Sequence, residues 1–340
     1  MAEVVCFGEI MLRLTAPDYG RLLQSPRFDA ALGGAETNVA VALAGFGIDV
    51  AVATALPENP LGDATVAALR GFGVGTDNVC RRGDRMGIYF VETGSGYLGT
   101  KVTYDRTGSA LATVQPGDLD WPAILAGARW LHVTGITPAL SAAAADATRA
   151  AVACARKLDV KVSCDANYRS KLWNYGASPS SVMKEIVGDV DVLVAGADDF
   201  RKMFDIVTEP SAGDDYGAVF ETLSAEAMAA WPNLSLVAGT WRDVRGANSN
   251  GWSGCLRTRS GFQRARYYQI RHIADRIGTG DAFTAGLIYR LLRGATPESA
   301  LEFAVAAGCI NHAIPGDFHR TGVTEIEALL GGEESARVQR

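Results

Sequence analysis

The sequence predicts an α/β protein: a doubly wound, mostly parallel sheet flanked by helices, with a small β-sheet inserted as a lid. Short β-branched or apolar runs alternate with longer helical patterns through most of the chain, which is how helices come to cover both faces of a parallel sheet. In two stretches, strand-like segments with in–out alternation follow one another with no helix between them, which predicts a separate antiparallel sheet. The 340 residues are 48% hydrophobic and 21% charged, the balance of a folded chain with a sizeable core.

Taken in order, "VVCFG" (4–8) reads as a strand and "ETNVAVALAGFG" (36–47) as a helix of small and apolar residues. "DVAVATAL" is the next strand, and "DATVAALRGFG" a helix that stops on glycine. Strand "RWLHVTG" (129–135), helix "SAAAADATRAAVACARKL" (141–158) and strands "VKVSCDAN", "VDVLVAG" and "LSLVAGT" (234–240) continue the alternation. The helix-free segments are "EIMLRLTA", "GIYFVETG" and "KVTYDR". They put lid strands at about 9–32 and 85–108 inside one α/β domain spanning 1–330, with a polar, disordered tail at 331–340. An inserted sheet at the carboxyl edge of a doubly wound sheet would cover the ligand crevice.

A net charge of −6 argues against nucleic acid or a membrane surface as partner. The N-terminus lacks the pattern of a cleavable signal, and no apolar run reaches membrane-spanning length, so a cytoplasmic protein is expected. Cys6, Cys80, Cys154, Cys164, Cys255 and Cys309 are scattered and read as ordinary buried thiols. His132, His272, His312 and His319 give no ligand spacing and read as structural, so no metal held by protein side chains is expected.

No Gly-Lys pair exists, which excludes a Walker-type phosphate loop, and the kinase-type His-Arg-Asp and Asp-Phe-Gly sets are absent. What remains is "DRIGTGDAFTAG" (275–286). Gly278, Thr279 and Gly280 let successive N–H groups turn into one concavity at the positive end of a helix starting near Asp281. An anion could sit there, with the Asp281 carboxylate beside it to take a proton from an attacking hydroxyl.

"DRIGTGDAFTAG" resembles the C-terminal signature of the ribokinase-like (PfkB) carbohydrate kinases. "LGGAETNVAVALAGFG" (32–47) resembles their N-terminal signature, in the right order. Within that family, "FGEIMLRLTAPDYGRLLQ", "ARWLHVTGITPAL", "SCDANYRSKLW" and "IPGDF" are most similar to the 2-keto-3-deoxygluconate kinase branch. The resemblance covers essentially the whole chain. It implies a ribokinase-like fold and ATP-dependent, Mg²⁺-assisted phosphorylation of the C6 hydroxyl of a six-carbon keto acid. It also implies a homo-oligomer paired through the lid strands. Gly33, Gly34, Asn38, Tyr89, Tyr104, Arg106, Ile136, Arg169 and Asp317 would bind the substrate; the two arginines suit its carboxylate. Gly278, Thr279, Gly280 and the Asp281 amide would form the anion hole, and Asp281 would be the base. Asp275 would shape the phosphate or cation region.

One departure stands out. The family's Asn-x-x-Glu motif, which places Mg²⁺ and phosphate, is here "AGADDF", with Gly196 for the asparagine and Asp199 for the glutamate. Altered Mg²⁺ dependence or lower turnover is expected. Other specificities remain open: fructokinase, ribokinase, keto-deoxygalactonate kinase, or a catalytically weak sugar-acid sensor. A nicotinamide dehydrogenase lacks its fingerprint loop here.

Overall fold

The computed structural model describes residues 2–208 and 215–332, so most of the polar tail, 333–340, lies outside the described residues. The chain begins with β1 (Val4–Phe7), β2 (Met11–Thr15), β3 (Asp29–Gly33), α1 (Ala35–Gly45), β4 (Val50–Leu56), α2 (Pro60–Gly71) and β5 (Gly75–Arg81). It continues through β6 (Gly87–Glu92), β7 (Lys101–Asp105), α3 (Trp121–Ile124), β8 (Trp130–Thr134), α4 (Ala142–Lys157), β9 (Lys161–Asp165), α5 (Pro179–Val187), β10 (Val192–Val194) and α6 (Ala197–Met203). The last third holds α7 (Tyr216–Ala230), β11 (Leu236–Gly246), β12 (Ser249–Thr258), β13 (Gly261–Arg264), β14 (Tyr268–Arg271), α8 (Thr279–Leu292), α9 (Pro297–Asn311) and α10 (Val323–Leu330).

A ten-stranded sheet runs β13-β12-β11-β10-β9-β8-β1-β4-β5, with β14 added beside β12. From β5 to β11 every neighbouring pair is parallel; β12, β13 and β14 are antiparallel additions at one edge. Chain order steps outward from β1 to β4 and β5 on one side, then resumes at β8 on the other. The crevice between β1 and β8 is therefore the switch point where a ligand is expected.

The central strands β1 and β10 are apolar along their whole length because both faces are covered. Along β1, Val5 and Phe7 enter the core with α4 to α7, while Val4 and Cys6 face α1, α8 and α9. No helix among the described residues is long and apolar enough to cross a membrane.

The lid is a separate four-stranded sheet, β3-β2-β6-β7. The expectation of a purely antiparallel sheet is corrected here: β2 and β6 pair parallel, while β2–β3 and β6–β7 are antiparallel. The chain enters β6 only after crossing the main sheet through β4 and β5, and a long crossover permits the parallel sense. The register puts Arg13, Tyr89 and Tyr104 in one row across β2, β6 and β7. Met11, Tyr89 and Val91 on the same face form a small core with Val102 and Ile277, which seats the lid on the loop before α8.

Candidate active site

A cavity of about 740 Å³ opens at the carboxyl ends of the central strands, beneath the lid. Two helices, α1 and α8, begin at glycines on its wall, and neither has a side-chain cap. By contrast α2, α4, α5, α7 and α9 are capped by Asn59, Ser141, Ser178, Asp215 and Thr296. A helix start leaves its first N–H groups without intrahelical partners, so the first turn of α8 presents free donors and a positive dipole end to the cavity.

The geometry there requires glycine. Gly278 has φ +80°, and a Cβ would lie 2.1 Å from the Asp317 carbonyl oxygen. Gly34, at φ +155°, would press a Cβ to 2.1 Å from the Glu9 carbonyl oxygen. The helix itself starts at Thr279, so Asp281 belongs to the first turn of α8 and does not precede it.

Asp281 is 9% exposed. Asn38, one turn into α1, donates from Nδ2 to Asp281 Oδ2 at 2.6 Å and to Asp317 Oδ2 at 3.3 Å. Burial pushes the Asp281 carboxyl up to about 7; the Asn38 bond works against that rise, and the nearby Asp317 carboxylate adds to it. A carboxyl poised near neutrality beside unpaired amides is suited to take a proton from a hydroxyl while the amides hold an anion.

Arg13 connects the lid to this site. Its Nη2 lies 2.5 Å from Asp275 Oδ2 and its Nη1 2.7 Å from Asp317 Oδ1, all three residues being buried. Asp275 also accepts the backbone N–H groups of Arg276, Ile277 and Gly316.

The sequence pattern of the pfkB family carbohydrate kinases matches residues 1–220 and 249–316. The chain belongs to this family. A 2-dehydro-3-deoxygluconokinase from Thermotoga maritima is 41% identical, with a TM-score of 0.92 over 98% of this chain and 100% of that one. A 2-dehydro-3-deoxygalactonokinase from Haloferax volcanii is 32% identical over 98% of both chains. A 2-dehydro-3-deoxygluconokinase from Bacillus subtilis is 27% identical, over 93% of this chain and 91% of that protein. The fold is ribokinase-like, and the activity is that of a sugar kinase.

In this sugar kinase the sequence-predicted site residues mostly meet in one place. Gly34, Asn38, Tyr89, Tyr104, Arg106, Ile136, Arg169, Gly196, Asp199, Gly278, Gly280, Asp281 and Asp317 all line the cavity. Three do not. Gly33 lies under the Tyr89 hydroxyl and the Asp317 carboxylate, with no wall of its own. Thr279 is buried, its hydroxyl donating to the Arg276 carbonyl and accepting from Arg242. Asp275 faces Arg13 and accepts the backbone amides of Arg276 and Ile277, so it shapes the loop below the nest without lining the cavity itself.

Two further expectations are sharpened. Arg106 lines the cavity but is ion-paired with Glu9, which also binds the Ser109 hydroxyl. Arg169 also lines it and has no carboxylate partner among the described residues, so of these two arginines it is the one free for a ligand. Asp199 spends both oxygens on backbone N–H groups, Oδ2 on Gly196 at 2.6 Å and Oδ1 on Tyr168 at 2.8 Å. It thus shapes the start of α6.

Sequence reasoning missed Asp165, Arg242, Arg276 and Arg13. Asp165, at the end of β9, lines the cavity, and burial together with Asp199 and Asp281 pushes its carboxyl well above the usual range. Arg276 lies inside the quoted glycine motif, and that position was its available signal. His132 and His312 are buried and held neutral, lowered by burial to about 3 and about 4.

Proposed function

We propose that this kinase transfers the γ-phosphoryl group of ATP to the C6 hydroxyl of 2-keto-3-deoxygluconate. The observation that carries the reading is Asp281: a buried carboxyl at about 7, hydrogen-bonded to Asn38, in the uncapped first turn of α8. In the reaction the hydroxyl proton passes to Asp281 as O6 attacks phosphorus. The amides of Gly278, Thr279, Gly280 and Asp281 then hold the charge on the phosphoryl oxygens.

Arg169, unpaired among the described residues, would take the sugar-acid carboxylate, with Arg106 beside it in the grip of Glu9. A planar guanidinium fork suits that carboxylate and has no counterpart on a neutral sugar. Tyr89 and Tyr104 from the lid, Ile136 from the sheet, and Gly34, Asn38 and Asp317 would enclose the sugar. No group of three metal-ligating side chains occurs among the described residues. Mg²⁺ would arrive on the nucleotide, and Asp165 and Asp199, the two carboxylates on that part of the wall, would help to hold it. When bound, Mg²⁺ neutralises charge on the β- and γ-phosphates. Gly196 leaves space there, since a Cβ would meet only Asp199 Oδ2, at 3.4 Å.

A second reading, the galactonate epimer as substrate, is favoured by the Haloferax volcanii relative. An ADP-release assay across both keto-deoxy acids, fructose and ribose tests the proposal. Turnover on the keto-deoxy acids is expected, and turnover on neutral sugars alone would replace the substrate class.

A further inference from the structure

Arg242 sits on β11 past the end of the parallel sheet, where the strand continues as a hairpin with β12. Its Nη2 donates to the Thr279 hydroxyl in the first turn of α8, and its guanidinium lies 5.3 Å from the Trp252 ring centre. It lines the cavity together with Arg169, Arg276, Gly278, Gly280 and Asp281. None of the three arginines has a carboxylate partner among the described residues. Arg242 is exposed at the rim of the cavity, and Arg276 and Arg169 lie near enough to disfavour its charge.

Three like charges turned toward one cavity repel one another unless an anion joins them. The uncapped α8 amides mark the same spot as electropositive. The hairpin that delivers Arg242 is held on two sides at its turn. Ala247 N–H donates to the Gly96 carbonyl of the lid at 3.2 Å, and Arg276 Nη2 donates to the carbonyls of Gly246 and, at 2.8 Å, Ala247. The hairpin is therefore fixed between the lid tip and the loop that forms the nest.

Resting on the kinase reading, we propose that Arg242 is a catalytic residue that contacts the transferring phosphoryl group beside the first turn of α8. As the bond from the β,γ-bridging oxygen to phosphorus breaks and the O6–phosphorus bond forms, the leaving electron pair departs on ADP and the proton goes to Asp281. Arg242 holds the equatorial oxygens throughout, and Arg276 holds the hairpin that carries it. The planar fork is what the role requires, since two oxygens of one phosphoryl group can be met at once.

The experiment compares wild type with Arg242→Met and Arg242→Lys. It measures kcat, KM for the sugar acid, Tm, and calorimetric binding of inorganic tripolyphosphate. Losing a charge-stabilising donor should lower kcat roughly 10²-fold in Arg242→Met. KM for the sugar acid and Tm should stay near wild type, and tripolyphosphate binding should weaken about tenfold. Added guanidinium should restore part of the Arg242→Met rate. Arg242→Lys, which keeps the charge and loses the fork, should lose at least about tenfold in kcat, and it decides the matter if Arg242→Met does not fold. Wild-type kcat in Arg242→Lys together with unchanged tripolyphosphate binding would overturn the inference. So would a rise in sugar KM without a fall in kcat. If wild type phosphorylates no sugar, the kinase reading fails separately, and tripolyphosphate binding still reads Arg242.

Discussion

Replacing Asn38 with alanine removes the donor that Asp281 receives at 2.6 Å and leaves the carboxyl buried beside Asp317. A hydrogen bond to a charged group contributes about 1.5–3 kcal/mol, and one pKa unit corresponds to about 1.4 kcal/mol. The lower end, with water entering the space left behind, raises Asp281 by about one unit above its value of about 7. At pH 7 the ionised fraction then falls from about one half to about one tenth, a roughly fivefold loss in kcat/KM. The loss should shrink as pH rises and be almost gone by about pH 9, because the base is then ionised in both proteins. The assay is kcat/KM by coupled ADP release across that range. A drop of equal size at every pH, with the rising limb unmoved, would refute the reasoning and confine Asn38 to packing or substrate contact.

The same carboxyl sets a stability test. Its folded pKa is raised from 3.8 to about 7, so the folded state holds the proton more tightly than the unfolded state does. The resulting stability is complete below about pH 4 and lost by about pH 7, a change of about 4 kcal/mol. Asp281→Asn should therefore melt above wild type at pH 8 and alongside it near pH 4.5; parallel curves would contradict the assigned burial. Arg13→Met should destabilise by about 3–5 kcal/mol, because it strands two buried carboxylates. That loss should be larger at pH 8 than at pH 5, because burial raises the Asp317 carboxyl and favours its protonation on the acid side; an equal Tm drop at both would contradict the ion-pair account. Arg169→Ala should raise KM for the sugar acid about 10- to 100-fold with little change in kcat, as expected for a lost charged hydrogen bond. Unchanged KM would reassign the carboxylate to Arg106.

The parallel core was legible because strands buried on both faces are written as unbroken apolar runs, as in β1 and β10. The antiparallel edge was not. In "TWRDVRGANSNGW" the alternation is partly exposed and rich in charge and glycine, so β11 past Thr240 and β12 resemble a loop until they are paired. The parallel sense of β2–β6 is likewise a property of the crossover and leaves no mark in either strand. In the site, the glycine motif and Asp281 were legible because local backbone geometry dictates the residue types. Arg13 was not, since it meets Asp275 and Asp317 across 262 and 304 residues. Arg106 and Arg169 looked equivalent in the sequence, and only the position of Glu9 separates them.

The most direct test of the central claim is ³¹P NMR and ADP release with ATP, Mg²⁺ and 2-keto-3-deoxygluconate, on wild type and Asp281→Asn. The account predicts a phosphomonoester at C6 in step with ADP. It also predicts a kcat lower by roughly 10² or more in the variant, with substrate binding kept, the range for a lost general base. Near-normal kcat in Asp281→Asn, or ADP release without a sugar phosphate, would contradict it.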